Sequence, residues 1–154
     1  MTTTEIEARW LKIDPDELKA KLRALGAVDN GEALFHEEVR RNLRWTNQRG
    51  RFVRIRTKPD GVHVSYKHFT SDTVDGTEEI EFIVDSRELA GLFCDRLGVT
   101  LQREQEKKVH TFQLGEVTVG LDTWPQAPTY VEIEGPSVAA VRAAAKQLEL
   151  KWED

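Results

Sequence analysis

Six glutamates stand in three identical tripeptides, Glu5-Ile6-Glu7, Glu79-Ile80-Glu81 and Glu132-Ile133-Glu134. Their carboxylates are two residues apart, so in an extended chain each pair leaves one face and the isoleucine leaves the other. Basic residues repeat the device. Arg54 and Arg56 alternate with Val53 and Ile55, His63, Ser65 and Lys67 alternate with Val62, Val64 and Tyr66, and Arg9 shares the spacing of Glu5 and Glu7. Clustered carboxylate oxygens suit hard cations such as Mg²⁺ or Mn²⁺, whereas guanidinium and ammonium groups suit phosphate oxygens. If strands bearing both sets line one cavity, the charges must be paired, metal-bound or matched by a ligand. A metal–polyphosphate complex would satisfy both.

The overall charge conceals this division. The 154 residues hold 22 Lys+Arg and 27 Asp+Glu, a formal net charge of −5. Between Arg40 and Lys67 there are nine basic residues (Arg40, Arg41, Arg44, Arg49, Arg51, Arg54, Arg56, Lys58, Lys67) and one acid, Asp60, so that window is +8 and the remainder −13. A solvated surface would account for such a block; alternation along a strand makes its direction matter more. The hydrophobic fraction of 39% and charged fraction of 32% fit a folded globular chain. No apolar run nears the roughly 18 residues of a membrane span, and the N-terminus has no signal-peptide pattern. One cysteine, Cys94, excludes an internal disulfide and a multi-cysteine metal site, so a reducing, cytoplasmic setting is expected.

The elements that must position these residues are three strand-then-helix units. Each Glu-Ile-Glu lies in an alternating strand. Asp14-Pro15-Asp16-Glu17 predicts the start of a helix with face Leu18, Leu22 and Leu25, ended by Gly26. Asp85 and Glu88 predict a second, with Leu89, Leu92, Phe93 and Leu97 as its buried face, ended by Gly98. Ser137 caps a third, which buries Val138, Val141, Ala144, Ala145 and Leu148. Further strands are expected over about 52–58, 62–67, 104–114 and 116–123, with turns at Pro59-Asp60-Gly61 and Leu114-Gly115-Glu116. Strands outnumber helices, which gives an α+β domain with a large antiparallel sheet or barrel. Cys94 and the four tryptophans read as packing residues, and no Gly-rich phosphate loop or Ser/His/Asp grouping occurs.

The ordered motifs also carry a resemblance. Glu5-Ile6-Glu7-Ala8-Arg9 resembles the N-terminal Glu-x-Glu-x-Lys signature of the CYTH domain, or triphosphate tunnel metalloenzyme, superfamily. Phe52-Val53-Arg54-Ile55-Arg56 is similar to its Leu-Arg-Ile-Arg strand, and Ser65-Tyr66-Lys67 to its Tyr-Lys strand. Glu79-Ile80-Glu81 matches the middle Glu-x-Glu, and Leu121-Asp122-Thr123 with Glu132-Ile133-Glu134 the Leu-Asp and Glu-Ile-Glu ending. The likeness runs from Thr4 to the last helix. It implies one domain over 1–154, an antiparallel β-barrel of about eight strands forming a tunnel, with helices packed outside. It implies metal binding by Glu5, Glu7, Glu132 and Glu134, with Glu79 and Glu81 nearby, and phosphate binding by Arg9, Arg54, Arg56 and Lys67. Lys107 and Lys108 stand where the family has a Lys-x-Arg strand, with Val109 at the arginine position. The signature lysine is Arg9 here, a cation that hardly deprotonates. Glu5, Glu7 and Arg9 are the catalytic candidates.

The expected function is therefore a Mg²⁺- or Mn²⁺-dependent phosphohydrolase that takes inorganic tripolyphosphate or a nucleoside or thiamine triphosphate. The alternatives are a class IV adenylate cyclase making cyclic AMP and pyrophosphate, and a non-catalytic polyphosphate- or nucleotide-binding module. Nucleic-acid binding ranks last, because the total charge is negative and the arginines share strand faces with carboxylates. The expected partner is a triphosphate-containing small molecule, with no membrane, and the oligomeric state stays open.

Overall fold

A computed structural model describes residues 3–45 and 50–152; Arg49 of the basic window lies outside them. Nine strands and three α-helices give an α+β fold. The strands are β1 (Thr3–Glu5), β2 (Glu7–Trp10), β3 (Val28–Asn42), β4 (Arg51–Lys58), β5 (Gly61–Phe69), β6 (Thr77–Val84), β7 (Val99–Leu114), β8 (Val117–Thr123) and β9 (Tyr130–Glu134). The helices are α1 (Pro15–Ala24), α2 (Arg87–Arg96) and α3 (Val138–Gln147). Hydrogen-bonded order is β1-β6-β5-β4-β3-β7-β8-β9-β2. The described pairings are antiparallel throughout, and the first and last strands of that order are consecutive in the chain, as an antiparallel α+β fold of about eight strands leads one to expect. The extra strand comes from the N-terminal segment, expected as one strand. It breaks at Ile6, β1 pairing with β6 and β2 with β9. Among the described residues no helix is long and apolar enough to cross a membrane.

The chain divides into two compact units. One comprises Ile6–Ala33 and Lys108–Asp154. Its core is apolar in the expected way: Phe112, Val119, Leu121, Val131 and Ile133 on the strands meet Leu18 and Leu22 of α1 and Val141, Ala145 and Leu148 of α3. The N-caps are those foreseen. Asp14 accepts from the backbone N–H groups of Asp16 (3.0 Å) and Glu17 (3.1 Å), and Ser137 from that of Ala140 (3.1 Å). Gly26 ends α1 at φ +77°, the left-handed conformation that favours glycine.

The other unit comprises Met1–Glu5 and Leu34–Lys107. Its apolar core is smaller, built on Ile55, Val64, Cys94 and Val99. The expectation for α2 is corrected here in two respects. Ser86, not Asp85, is the N-cap, accepting from the N–H of Leu89 at 3.2 Å. The helix also turns Gly91 and Cys94 inward and leaves Leu89, Leu92, Phe93 and Leu97 exposed. The reason is a polar clasp. Buried Arg40 donates to Glu38 (3.1 Å), Asp95 (2.7 Å) and the Val99 carbonyl (3.4 Å). Its guanidinium passes so near α2 that a Cβ on Gly91 would lie 2.9 Å from it. Pairing buried Arg40 with half-exposed Asp95 fixes which side of α2 faces the sheet, and the leucines fall on the other. β3 was not foreseen, because four consecutive buried residues, Glu37, Glu38, Val39 and Arg40, show neither strand nor helix periodicity.

Leu22, fully buried between α1 and the sheet, tests the apolar core. Leu22→Ala is expected to cost about 2–5 kcal/mol of unfolding free energy in urea titrations at unchanged fold; a cost under ~1 kcal/mol would show that the site is not close-packed.

Candidate functional site

Register aligns charges on one face of β3 to β6. Glu37 stands opposite Arg56, Arg54 opposite Ser65, Ser65 opposite Glu81, and Lys67 opposite Glu79. Their apolar neighbours Ile55 and Val64 point to the other face and into the core. Part of the charged face is closed to water, with Lys67 5% exposed, Lys107 6%, Glu37 3% and Ser65 1%, while Arg54, Arg56 and Glu79 are half-buried and Glu81 is exposed. The Nζ of Lys67 donates to both carboxylate oxygens of Glu5, at 2.9 and 2.7 Å, and lies 3.3 Å from Glu79. Glu37 is paired with Arg56, and its Oε1 lies 3.6 Å from the Nζ of Lys107. Ser65 donates to Glu81 at 3.0 Å, while His63 bridges Glu81 (2.9 Å) and Asp60 (3.0 Å) through its two ring nitrogens.

Arg54 differs from these. Its buried Nε has no hydrogen-bond partner, and it forms no ion pair among the described residues. Burial and the like charge of Arg56 pull its pKa below the ordinary arginine value, against the attraction of Glu37, Glu5 and Glu79. The carboxylates respond in different ways. Burial, with the like charges of Glu5 and Glu81, raises the pKa of Glu79 against the pull of Lys67. Burial opposes ionisation of Glu37 too, but Arg56, Lys107 and Arg54 outweigh it and hold its pKa below normal. Glu81 is likewise held low against burial by the hydrogen bonds from His63 and Ser65.

In the other unit, β2 and β9 set Glu7 opposite Glu134 and Arg9 opposite Glu132. Arg9 pairs with Glu132, and its guanidinium sits 4.8 Å above the ring centroid of Tyr130. Burial works against the charge on Arg9, yet Glu132, Tyr130 and Glu7 raise its pKa. Tyr130 is fixed beneath it. The indole N–H of Trp124 donates to its hydroxyl at 2.8 Å, and that hydroxyl reaches Asp122 at 3.4 Å. Burial, with nearby Asp122 and Glu132, pushes the Tyr130 pKa up to about 12 against the hydrogen bond from Trp124.

The structure thus gathers Glu5, Arg54, Arg56, Lys67, Glu79, Glu81 and Lys107 in one unit, and Glu7, Arg9, Glu132 and Glu134 in the other. Lys108 leaves β7 on the face of His110 and Phe112 and is exposed, away from the face of its neighbour Lys107. Sequence reasoning missed Glu37, the counter-ion of Arg56, because β3 was not read as a strand. It also passed over Tyr130, whose alternation with Val131 was a usable signal.

By sequence the chain matches no family profile and no curated protein. By fold it is similar to solved structures along nearly its whole length. The PH1012 protein of Pyrococcus horikoshii OT3 has a TM-score of 0.80 at 25% identity, over 97% of this chain and 93% of its own. A candidate adenylate cyclase from Vibrio parahaemolyticus has a TM-score of 0.79 at 14% identity, over 97% and 90%. A candidate adenylyl cyclase from Hippeastrum, with a dominant triphosphatase activity, has a TM-score of 0.65 at 15% identity, over 97% and 90%. Taken with the strand order and the ordered Glu-x-Glu, Arg-x-Arg and Tyr-Lys motifs, the chain has the CYTH, or triphosphate tunnel, fold.

Proposed function

We propose that this chain binds the triphosphate group of an inorganic or organic substrate and hydrolyses one of its phosphoanhydrides with the help of a divalent metal. Arg54 carries the reading. Its half-buried guanidinium stands beside that of Arg56 with an Nε that has no hydrogen-bond partner, an arrangement that an outside anion would complete. Arg56 and Lys67 lie on the same face, and Lys107 reaches the same Glu37 as Arg56. Several cations in line suit a chain of phosphates better than a single carboxylate.

Glu7 and Glu134, directly opposed across β2 and β9, are hard oxygen donors, and this donor set fits Mg²⁺ or Mn²⁺. The family resemblance adds Glu5 and Glu132 and brings in Glu79 and Glu81. A divalent ion bound by them would offset phosphate charge and acidify a coordinated water. The remaining work falls to side chains. Arg54, Arg56, Lys67 and Lys107 hold the phosphate oxygens and orient the anhydride. Arg9, with its raised pKa, keeps its proton and acts as a fixed charge held by Glu132 and Tyr130. In hydrolysis a water oxygen bonds to the terminal phosphorus, the bridging P–O bond breaks, diphosphate or its ester leaves, and the water proton passes to solvent. A second reading, supported by the fold likeness to a candidate adenylate cyclase, has a ribose 3′-hydroxyl attack the α-phosphorus and expel pyrophosphate.

A panel of tripolyphosphate, ATP and thiamine triphosphate with Mg²⁺ or Mn²⁺ is expected to release phosphate from at least one, and Glu134→Gln to lower that rate by ~10²-fold or more. Cyclic AMP with pyrophosphate would select the second reading, and binding by calorimetry without any product would reject catalysis. Arg54→Ala is expected to raise KM at least ~10-fold while leaving Tm unchanged or higher, because it removes a like-charge neighbour of Arg56. A lower Tm with normal KM would make Arg54 structural.

Glu37 gives a pH test of the phosphate grip. Its pKa lies below the ordinary value of 4.5, so its pairing stabilises the fold above that value and is lost as pH falls through the lower, folded-state one. Glu37→Gln is expected to cost about 2–4 kcal/mol at neutral pH and clearly less near pH 3, read by urea unfolding at each pH; an equal cost at both would mean that the charge is not the cause.

A further inference from the structure

Helix α2 carries its apolar side chains outward. Leu89, Leu92, Phe93 and Leu97 are 68%, 46%, 67% and 59% exposed, and on β6 Phe82 and Ile80 are 54% and 37% exposed. Between them runs a groove of about 810 Å³, floored by Val53, Val64 and Val84. These six side chains leave on the order of 600 Å² of apolar surface in water, the upper end for the largest patch of a monomer (~300–600 Å²) and most of the ~800 Å² that each partner buries in a standard interface.

We propose that this face is covered by a second copy of the chain, related by a two-fold axis across α2. Three features select that occupant. First, the face is a ridge beside a groove: Leu89 and Phe93 project next to the hollow they wall. An apolar small molecule seated in the groove would leave the ridge wet, whereas a two-fold sets each ridge into the other copy's groove in a single operation. Second, the available area matches what such a dimer needs once a polar rim is added. Third, the charges at the two ends of the helix are complementary under that symmetry. At its N-terminal end exposed Asp85 and Glu88 outnumber half-buried Arg87, exposed Arg96 stands at its C-terminal end, and Asp85, Glu88 and Arg96 form no ion pair among the described residues. Antiparallel crossing of two α2 helices brings each acidic end to the other's Arg96 and opposes the two helix dipoles. Asp95, on the opposite side of α2, is already used by Arg40.

The full chain in sedimentation equilibrium at ~1–100 μM is expected to show twice the 17.6 kDa chain mass. Phe93→Glu is expected to give the single-chain mass with an unchanged far-UV circular dichroism spectrum. Arg96→Glu is expected to weaken dimerisation at least ~10-fold, and Glu88→Arg combined with Arg96→Glu to restore it to within ~3-fold. Wild type remaining at single-chain mass at ~100 μM overturns the proposal, with uptake of an apolar dye at this face pointing to a small ligand instead. A dimer indifferent to Phe93→Glu overturns it as well, since the contact would then lie elsewhere. If Phe93→Glu unfolds, the charge-swap pair decides alone, and failure to restore association rejects the two-fold.

Discussion

A buried ammonium group, that of Lys67, sets the terms for the unit around it. Taking such a charge out of water costs several kcal/mol unless it is neutralised in place. Glu5 and Glu79 supply that neutralisation from β1 and β6, the strands at one end of the hydrogen-bonded order. The same demand runs across the sheet to β3, where Glu37 answers Arg56 and Lys107. Ser65 is small enough to sit between Arg54 and Glu81 in register and polar enough to give Glu81 a hydrogen bond. Among the described residues of this ladder, Arg54 keeps a buried Nε without a hydrogen-bond partner.

Charge burial also decides how α2 is mounted. A helix is ordinarily held by its apolar stripe. Here the clasp of Arg40 with Glu38 and Asp95, and the missing side chain at Gly91, hold the helix by a polar contact instead. Arg40 is thus spent on internal partners. Of the basic window that stood out in the composition, Arg40, Arg56 and Lys67 form ion pairs within the fold.

Most of the strand pattern was legible because period-two alternation survives wherever one face is apolar. Val53 and Ile55 against Arg54 and Arg56 is such a case, and the register bears it out. Where both faces are buried and both carry charge, alternation vanishes. Residues 37–40 hid β3 and with it Glu37. The three caps and the apolar faces of α1 and α3 follow from local chemistry and were readable, apart from the shift of one cap from Asp85 to Ser86 and from Leu25, which ends α1 exposed. The outward turn of α2 was not, since periodicity reports an apolar stripe without saying what lies against it. The glutamates were recognisable as a set, but their division of labour was not. Glu79 and Glu81 look alike in sequence, yet one is pushed toward neutrality by burial beside Glu5 and the other is kept ionised by His63 and Ser65.

The break at Ile6 has a consequence for the order in which the polypeptide acquires structure during its synthesis. β1 pairs with β6 and β2 with β9, so both wait for strands made much later. At about 5–20 residues per second, β2 stays without its partner for roughly 6–25 s after leaving the ribosome. Such an interval exposes strand edges to wrong pairing. The glutamates at Glu5 and Glu7 and the arginine at Arg9 carry formal charge through that wait, and like-charged segments repel one another when still extended. Charged residues at the break thereby also act as gatekeepers of a nascent chain.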